Sequence, residues 1–186
     1  MKFQNGEPFN SQTVKYSFTR AAGEKSTNKD KRLFQSMEFI GTPDPYTVVI
    51  GMKTIEPDLL FLLGQATAIM VEPKSSETNA TQPVGTGPFK LENWAKGSSV
   101  TLVRWPGYRN AAAIKLEKVT FRFIGDPAAQ VAALLSGDVD AFPRVAPRGA
   151  TQFKANSRLQ TIVSGSRAKT VLAINNARKP LNDVRV

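Results

Sequence analysis

The most regular hydrophobic alternation in the chain flanks a short run of small residues. Phe89 and Leu91 alternate with polar positions, and after a polar turn at Lys96-Gly97-Ser98 the alternation resumes at Val100 and Leu102. Period-two alternation on both sides of a glycine turn predicts a β-hairpin. Gly85-Thr86-Gly87-Pro88 leads into it. Glycines in such a place are expected where the backbone needs a positive φ or another group approaches closely, and the proline fixes the exit direction. This segment reads as a rigid crossover, suited to passing between lobes or running beside a ligand.

Helical periodicity governs the first twenty residues. Asn5-Gly6 marks a turn, and Asn10 stands as the N-cap of a helix starting at Ser11. Phe9 and Val14 have the spacing of a hydrophobic staple, and Val14, Phe18, Ala21 and Ala22 share one face, with Lys15 and Arg20 toward water. After a polar loop over 24–31, residues 34–40 and 46–50 read as strands. Pro43 and Pro45 between them predict an unpaired turn over 41–45. A short apolar helix is expected from Pro57 to Leu63, ended by Gly64.

In the second half, Val119, Phe121 and Phe123 alternate with polar residues, predicting a strand over 118–124. Asp126-Pro127 supplies a cap and an N1 proline for a helix that Gly137 stops, with Ala128, Val131, Ala132 and Leu135 as its apolar face. A strand at 138–142 would complete a βαβ unit with parallel strands. A short helix around 150–156 and a strand at 171–174 are the last regular elements expected.

Composition narrows the chemistry. At 186 residues, 41% hydrophobic and 22% charged, the chain has the make-up of a folded globular protein. No apolar run approaches the ~18 residues of a membrane helix. No secretory leader precedes Lys2, so an exported protein would carry one outside this sequence. Cysteine and histidine are both absent, which removes thiolate and imidazole metal ligands and any Ser-His-Asp or Cys-His machinery. An enzyme would have to use a carboxylate or serine nucleophile without those partners. Asp138 and Asp140 have no third carboxylate near them in sequence and read as a solvated or hinge-facing pair. The net charge of +10, from 25 basic and 15 acidic residues, leaves open a basic nucleic-acid-binding protein as the alternative function. The cations are scattered, however, and no helix-turn-helix, zinc-finger or RNP-type pattern accompanies them.

Four collinear motifs resemble the extracellular solute-binding proteins, family 5, that serve peptide, nickel and related ABC importers. The first is Phe3 to Arg20, similar to the family's Phe-x-Asp/Asn-Gly-x-Pro-Phe run, with Thr13 where an acid is usual. The second is Pro83, Gly85, Thr86, Gly87, Pro88, Phe89, Trp94, Gly97, Val100, Leu102 and Tyr108, departing at Trp105-Pro106-Gly107 and Arg109. The third is Asp126, Ala129, Ala133, Leu134, Gly137, Asp138, Val139 and Asp140; the fourth is Asn175-Asn176 and the run from Lys179 to Arg185. The resemblance implies an α/β (mixed α+β) chain, part of a type II periplasmic-binding-protein fold. Residues 1–82 would be an accessory subdomain, 83–174 part of ligand-binding lobe I, and 175–186 the start of the interlobe connection, with the second lobe absent. It further implies no catalysis and no cofactor. The partners would be a peptide or other small-molecule ligand and the ABC transporter permease subunits, not nucleic acid, for a monomer in a periplasmic or extracellular location. The candidate ligand-binding or hinge residues are Gly85, Thr86, Gly87, Trp94, Asn175 and Asn176. For Trp94 a core position, and for the two asparagines a role only in capping the hinge, are the competing assignments.

Overall fold

The computed structural model describes residues 1–144, 152–153, 156–162, 165, 172–183 and 185. The chain separates into two compact units, Met1–Ile124 and Gly125–Val186.

The first unit opens on a tight bend. Gly6, at φ +91°, turns the chain so that Lys2 bridges Pro8, and Phe3, only 1% exposed, meets the ring of Phe9 at 5.8 Å. Helix α1 (Ser11–Ala22) follows with its cap where the sequence places it: Asn10 accepts from the Gln12 and Thr13 amides at 3.0 and 3.2 Å. Thr13 returns the bond, its hydroxyl accepting from the Asn10 amide at 3.5 Å. Threonine thus completes a reciprocal cap with its own hydroxyl. Ser11, buried, donates to the Asp44 carbonyl at 2.6 Å and fastens the helix start to the following hairpin.

Phe34 belongs to helix α2 (Lys31–Gln35), not to a strand as the alternation at 34–40 predicts. The cause is tertiary: as part of a helix, Phe34 packs its ring 5.3 Å from that of Phe18, and the two join Ala21, Leu33, Met37 and Ala68 in the core. Strand β1 (Met37–Asp44) then pairs antiparallel with β2 (Thr47–Met52). Contrary to expectation, Gly41 and Asp44 of the proline segment are paired, while Thr42 and Pro43 between them are not. The register slips between Gly41 and Asp44, and Pro43 sits in that irregularity, where its missing N–H breaks no ladder bond. Helix α3 (Leu59–Leu63) sends Leu59, Leu62 and Leu63 toward the core. A short 3₁₀ turn at Pro73–Ser75 is capped by Glu72.

Strands β3 (Phe89–Ala95), β4 (Ser99–Arg104) and β5 (Lys118–Arg122) form a three-stranded antiparallel sheet in that order. Gly97, at φ +78°, makes the hairpin turn at the predicted place. Register puts Leu91 opposite Leu102 opposite Val119, and Trp94 opposite Val100 opposite Phe121, on one face. The other face carries Lys90, Val103 and Lys118 in one row and Asn93, Thr101 and Thr120 in the next. A bulge at Glu92 keeps the two halves of β3 in phase with β4, and its carboxylate pairs with Lys118 at 2.8 Å.

In the second unit, helix α4 (Pro127–Ser136) has the predicted ends. Asp126 accepts from the Ala129 amide at 2.7 Å, and Gly137 closes the helix at φ +84°. Its inner face differs from the expected one: Ala133 is buried and Val131 and Leu134 half-buried, while Ala128, Ala132 and Leu135 are exposed. A helix that is almost wholly apolar does not specify a face through its own periodicity. Residues 138–142 form no strand, so the βαβ reading fails there, and β5 pairs antiparallel with β4. Of the helix expected around 150–156, Gln152 and Phe153 are helical and Asn156 is not; the remaining positions, like Val171 of the expected strand, lie outside the described residues. Leu172 to Ile174 are not in a strand.

Candidate functional site

The Gly85–Phe89 segment is an arch tied to the first strand-like residues of the chain by one side chain. Gln4 donates its two amide hydrogens to the carbonyls of Gly87 (3.2 Å) and Phe89 (2.7 Å), and its carbonyl oxygen accepts from the Gly85 amide (3.2 Å). The Gln4 main-chain N–H donates to the Gly85 carbonyl at 2.9 Å. The far end is pinned by the Trp105 amide, which donates to the Pro88 carbonyl at 2.8 Å.

Neither Gly85 nor Gly87 has a positive φ, so the conformational reason expected for them does not apply. A Cβ on Gly87 would meet nothing within 4 Å, and one on Gly85 only the Gly87 amide nitrogen at 3.9 Å. Close approach within this chain is therefore not their reason either. Both residues are half-buried, as is Thr86 between them. Among the described residues, the amides of Thr86 and Gly87 and the Thr86 hydroxyl have no hydrogen-bond partner. Glycine is demanded instead at Gly107, where a Cβ would fall 2.7 Å from the indole of Trp105.

Trp94 lies on β3, 40% exposed, with the Lys96 ammonium 5.9 Å from its ring centroid. It shares the apolar sheet face with Phe121, 54% exposed. That is a ring partly open to solvent, not a buried core residue. Asn175 and Asn176 belong to the second unit and are exposed there; the Asn175 side chain accepts from the Ala177 amide at 3.1 Å, an Asx turn that caps its own loop.

Sequence reasoning missed two residues that hold the arch. Gln4 is one. The other is Glu72, 1% exposed, which accepts from the Asn5 side-chain amide (2.8 Å) and from the main-chain amides of Lys74 (2.9 Å) and Ser75 (2.8 Å). Burial works to raise the Glu72 pKa. The bonds from Lys74, Ser75 and Asn5 outweigh it and hold the carboxyl below its ordinary value. Glu72 thereby fixes Asn5, and Asn5 and the buried Phe3 hold Gln4 from both sides. A buried acid after a hydrophobic run (Ile69-Met-Val-Glu72) was the only local signal available.

Two clefts lie beside α1. One of about 670 Å³ is lined by Ser17, Arg20, Asn28 and Thr67, and one of about 1030 Å³ by Lys15, Tyr16, Ser76 and Asn79. Neither is lined by the arch. Among the described residues there is no cluster of three or more potential metal ligands, and no helix is long and apolar enough to cross a membrane.

The mixed helices and antiparallel strands match part of the fold of type II periplasmic binding proteins. The mannopinic acid-binding MoaA of A. tumefaciens R10 superposes with a TM-score of 0.80 at 26% identity, over 99% of this chain and 38% of that one. A nickel ABC transporter protein of Bacillus halodurans gives 0.74 at 33% identity, over 84% and 32%. The profile of the bacterial extracellular solute-binding proteins, family 5 (middle region), matches residues 1–186, and the chain belongs to that family. Among curated relatives, the glutathione-binding protein GsiB of Escherichia coli K12 is 28% identical over 191 residues, covering all of this chain and 37% of that protein. A putative ABC transporter peptide-binding protein of Brucella ovis is 29% identical, covering 36% of its length. The chain thus spans little more than a third of the relatives it matches. The family is one of solute-binding transport proteins, not of enzymes.

Proposed function

We propose that this chain forms part of the solute-capturing component of an ABC importer, and that its Gly85–Gly87 arch contributes to the ligand site. The single observation that carries the reading is the arch itself. Four of its main-chain groups are bonded by Gln4, two consecutive amides are left without a partner, and the Gly87 position is open enough for an outside group to approach. Two consecutive N–H groups with no partner in the chain, at a position open to approach, are free to donate to an outside acceptor. A carbonyl or carboxylate oxygen of a solute is such an acceptor.

On this reading residues 1–82 are an accessory subdomain, 83–174 contribute to one ligand-binding lobe, and 175–186 begin the connection to a second lobe. A solute held between lobes is retained because contacts from both sides exist only in the closed state. The closed form is what the membrane permease recognises, outside the cytoplasm, and the binding protein acts as a monomer. Peptides head the ligand classes, with glutathione, a nickel chelate and an opine as the others, since relatives are named for each. The nucleic-acid alternative draws support from net charge alone.

The test is calorimetric titration of the complete gene product and of the 186-residue chain with glutathione, trialanine, nickel–histidine and mannopinic acid. The complete product binds at least one of them, and the chain alone binds that solute about a hundredfold more weakly or not at all, because half of the contacts are missing. Equal tight binding by both, or no binding of any of the four by the complete product, refutes the proposal.

A further inference from the structure

We infer that Gln4 is a positioning residue for the proposed solute site: its amide sets the Gly85–Phe89 arch so that the Thr86 and Gly87 amides meet an acceptor oxygen of the solute. This rests on the function proposed above. Gln4 is bound to the arch across 81 to 85 positions of sequence, with both N–H groups of its side-chain amide donating and its carbonyl oxygen accepting. Two carbonyls and one N–H surround that amide, which fixes its orientation without ambiguity. Its own backbone is immobilised, with Phe3 buried on one side and Asn5 bonded to Glu72 on the other.

The arrangement distinguishes glutamine from every near relative. Asparagine is one methylene too short to reach both Gly87 and Phe89. Glutamate has the right length, but its ionised carboxylate would face two carbonyl oxygens that need donors, keeping only the bond from Gly85. Protonated, glutamate regains one donor. Surroundings that favour the neutral form raise a carboxyl pKa above its ordinary value of about 4.3. Gln4→Glu therefore converts a permanent latch into one that closes on acidification, a behaviour that loss of packing alone does not produce.

The complete gene product and its Gln4→Glu variant are titrated at pH 8 and pH 5 with whichever of the four solutes above the wild type binds most tightly, with the wild type measured in parallel to remove the solute's own titration. The expected result is wild-type affinity that is flat with pH, a loss of about tenfold in the variant at pH 8, and recovery of most of that loss at pH 5. A variant that binds within about twofold of wild type at both pH values overturns the inference and leaves the proposed function standing. A loss that is the same at pH 8 and pH 5 also overturns it, since that is a packing defect. If the wild type binds none of the four solutes above, the proposed function fails and the inference falls with it. If Gln4→Glu does not fold at pH 8, Gln4→Met, which keeps the length without a charge, is read in its place. Weakened binding with a near-native thermal midpoint supports the latch, and unchanged binding overturns it.

Discussion

Replacing Glu72 by glutamine tests the anchoring scheme directly. The wild-type carboxylate, 1% exposed, takes three hydrogen bonds: Lys74 N–H on one oxygen, and Ser75 N–H and the Asn5 amide on the other. Glutamine has one acceptor oxygen. In its better orientation it keeps the Ser75 and Asn5 bonds but turns an NH₂ toward the Lys74 N–H, leaving that amide unpaired. An unpaired donor in this part-buried position costs at most about 1–3 kcal/mol, and the two surviving bonds lose their charge assistance. The neutral side chain is easier to bury, which offsets part of this, so about 2 kcal/mol is the expected loss. That corresponds to a midpoint lowered by about 6 °C. The pH dependence gives a second check. The folded-state pKa of Glu72 is depressed below the ordinary glutamate value. Its contribution is therefore complete above that value and is lost as pH falls through the lower folded-state pKa. Urea unfolding followed by circular dichroism at pH 7, 5.5, 4 and 3 should show wild type and variant about 2 kcal/mol apart at the two higher values and converging at the lowest. A gap under about 0.5 kcal/mol at pH 7, or one that widens in acid, would refute the hydrogen-bond reasoning.

Other expectations follow from single contacts. Asn10→Ala removes the cap of α1 and should cost about 1 kcal/mol in the same urea assay. Phe34→Ala empties the centre of the small core and should cost about 4 kcal/mol, enough to unfold much of the first unit; a loss under about 1 kcal/mol would restore Phe34 to an exposed strand. Gly87→Ala adds a methyl where nothing lies within 4 Å at an unstrained φ, so the thermal midpoint should hold while affinity for the tightest of the four solutes falls; unchanged affinity would remove the arch from the ligand site.

What could be read from sequence was local. The Asn10 cap, the Gly97 turn, the Asp126-Pro127 start and the Gly137 stop are each decided by residues within a turn of one another, and each appears where its chemistry places it. Phe34 and the proline segment depart from expectation because their states depend on partners: Phe18 draws Phe34 into a helix, and a register slip lets Gly41 and Asp44 pair on either side of an unpartnered Pro43. The inner face of α4 escaped because Ala128 to Leu135 offers almost no polar contrast. At the candidate site, the glycines are conspicuous, but neither has the positive φ that was one of the two reasons offered for them, and Gln4 is invisible. A glutamine whose three partners lie more than 80 residues away leaves no periodic trace.

That long-range contact has a topological corollary. Because Gln4 and Gly85 lie side by side, the intervening chain leaves and returns through a single doorway, like a drawer in a cabinet. Closing such a long excursion costs on the order of 4 kcal/mol, and lengthening or trimming it changes that cost only logarithmically. Insertions in the exposed loops of that excursion are thus cheap in closure entropy, provided Asn5 and Glu72 within it still hold Gln4 at the doorway.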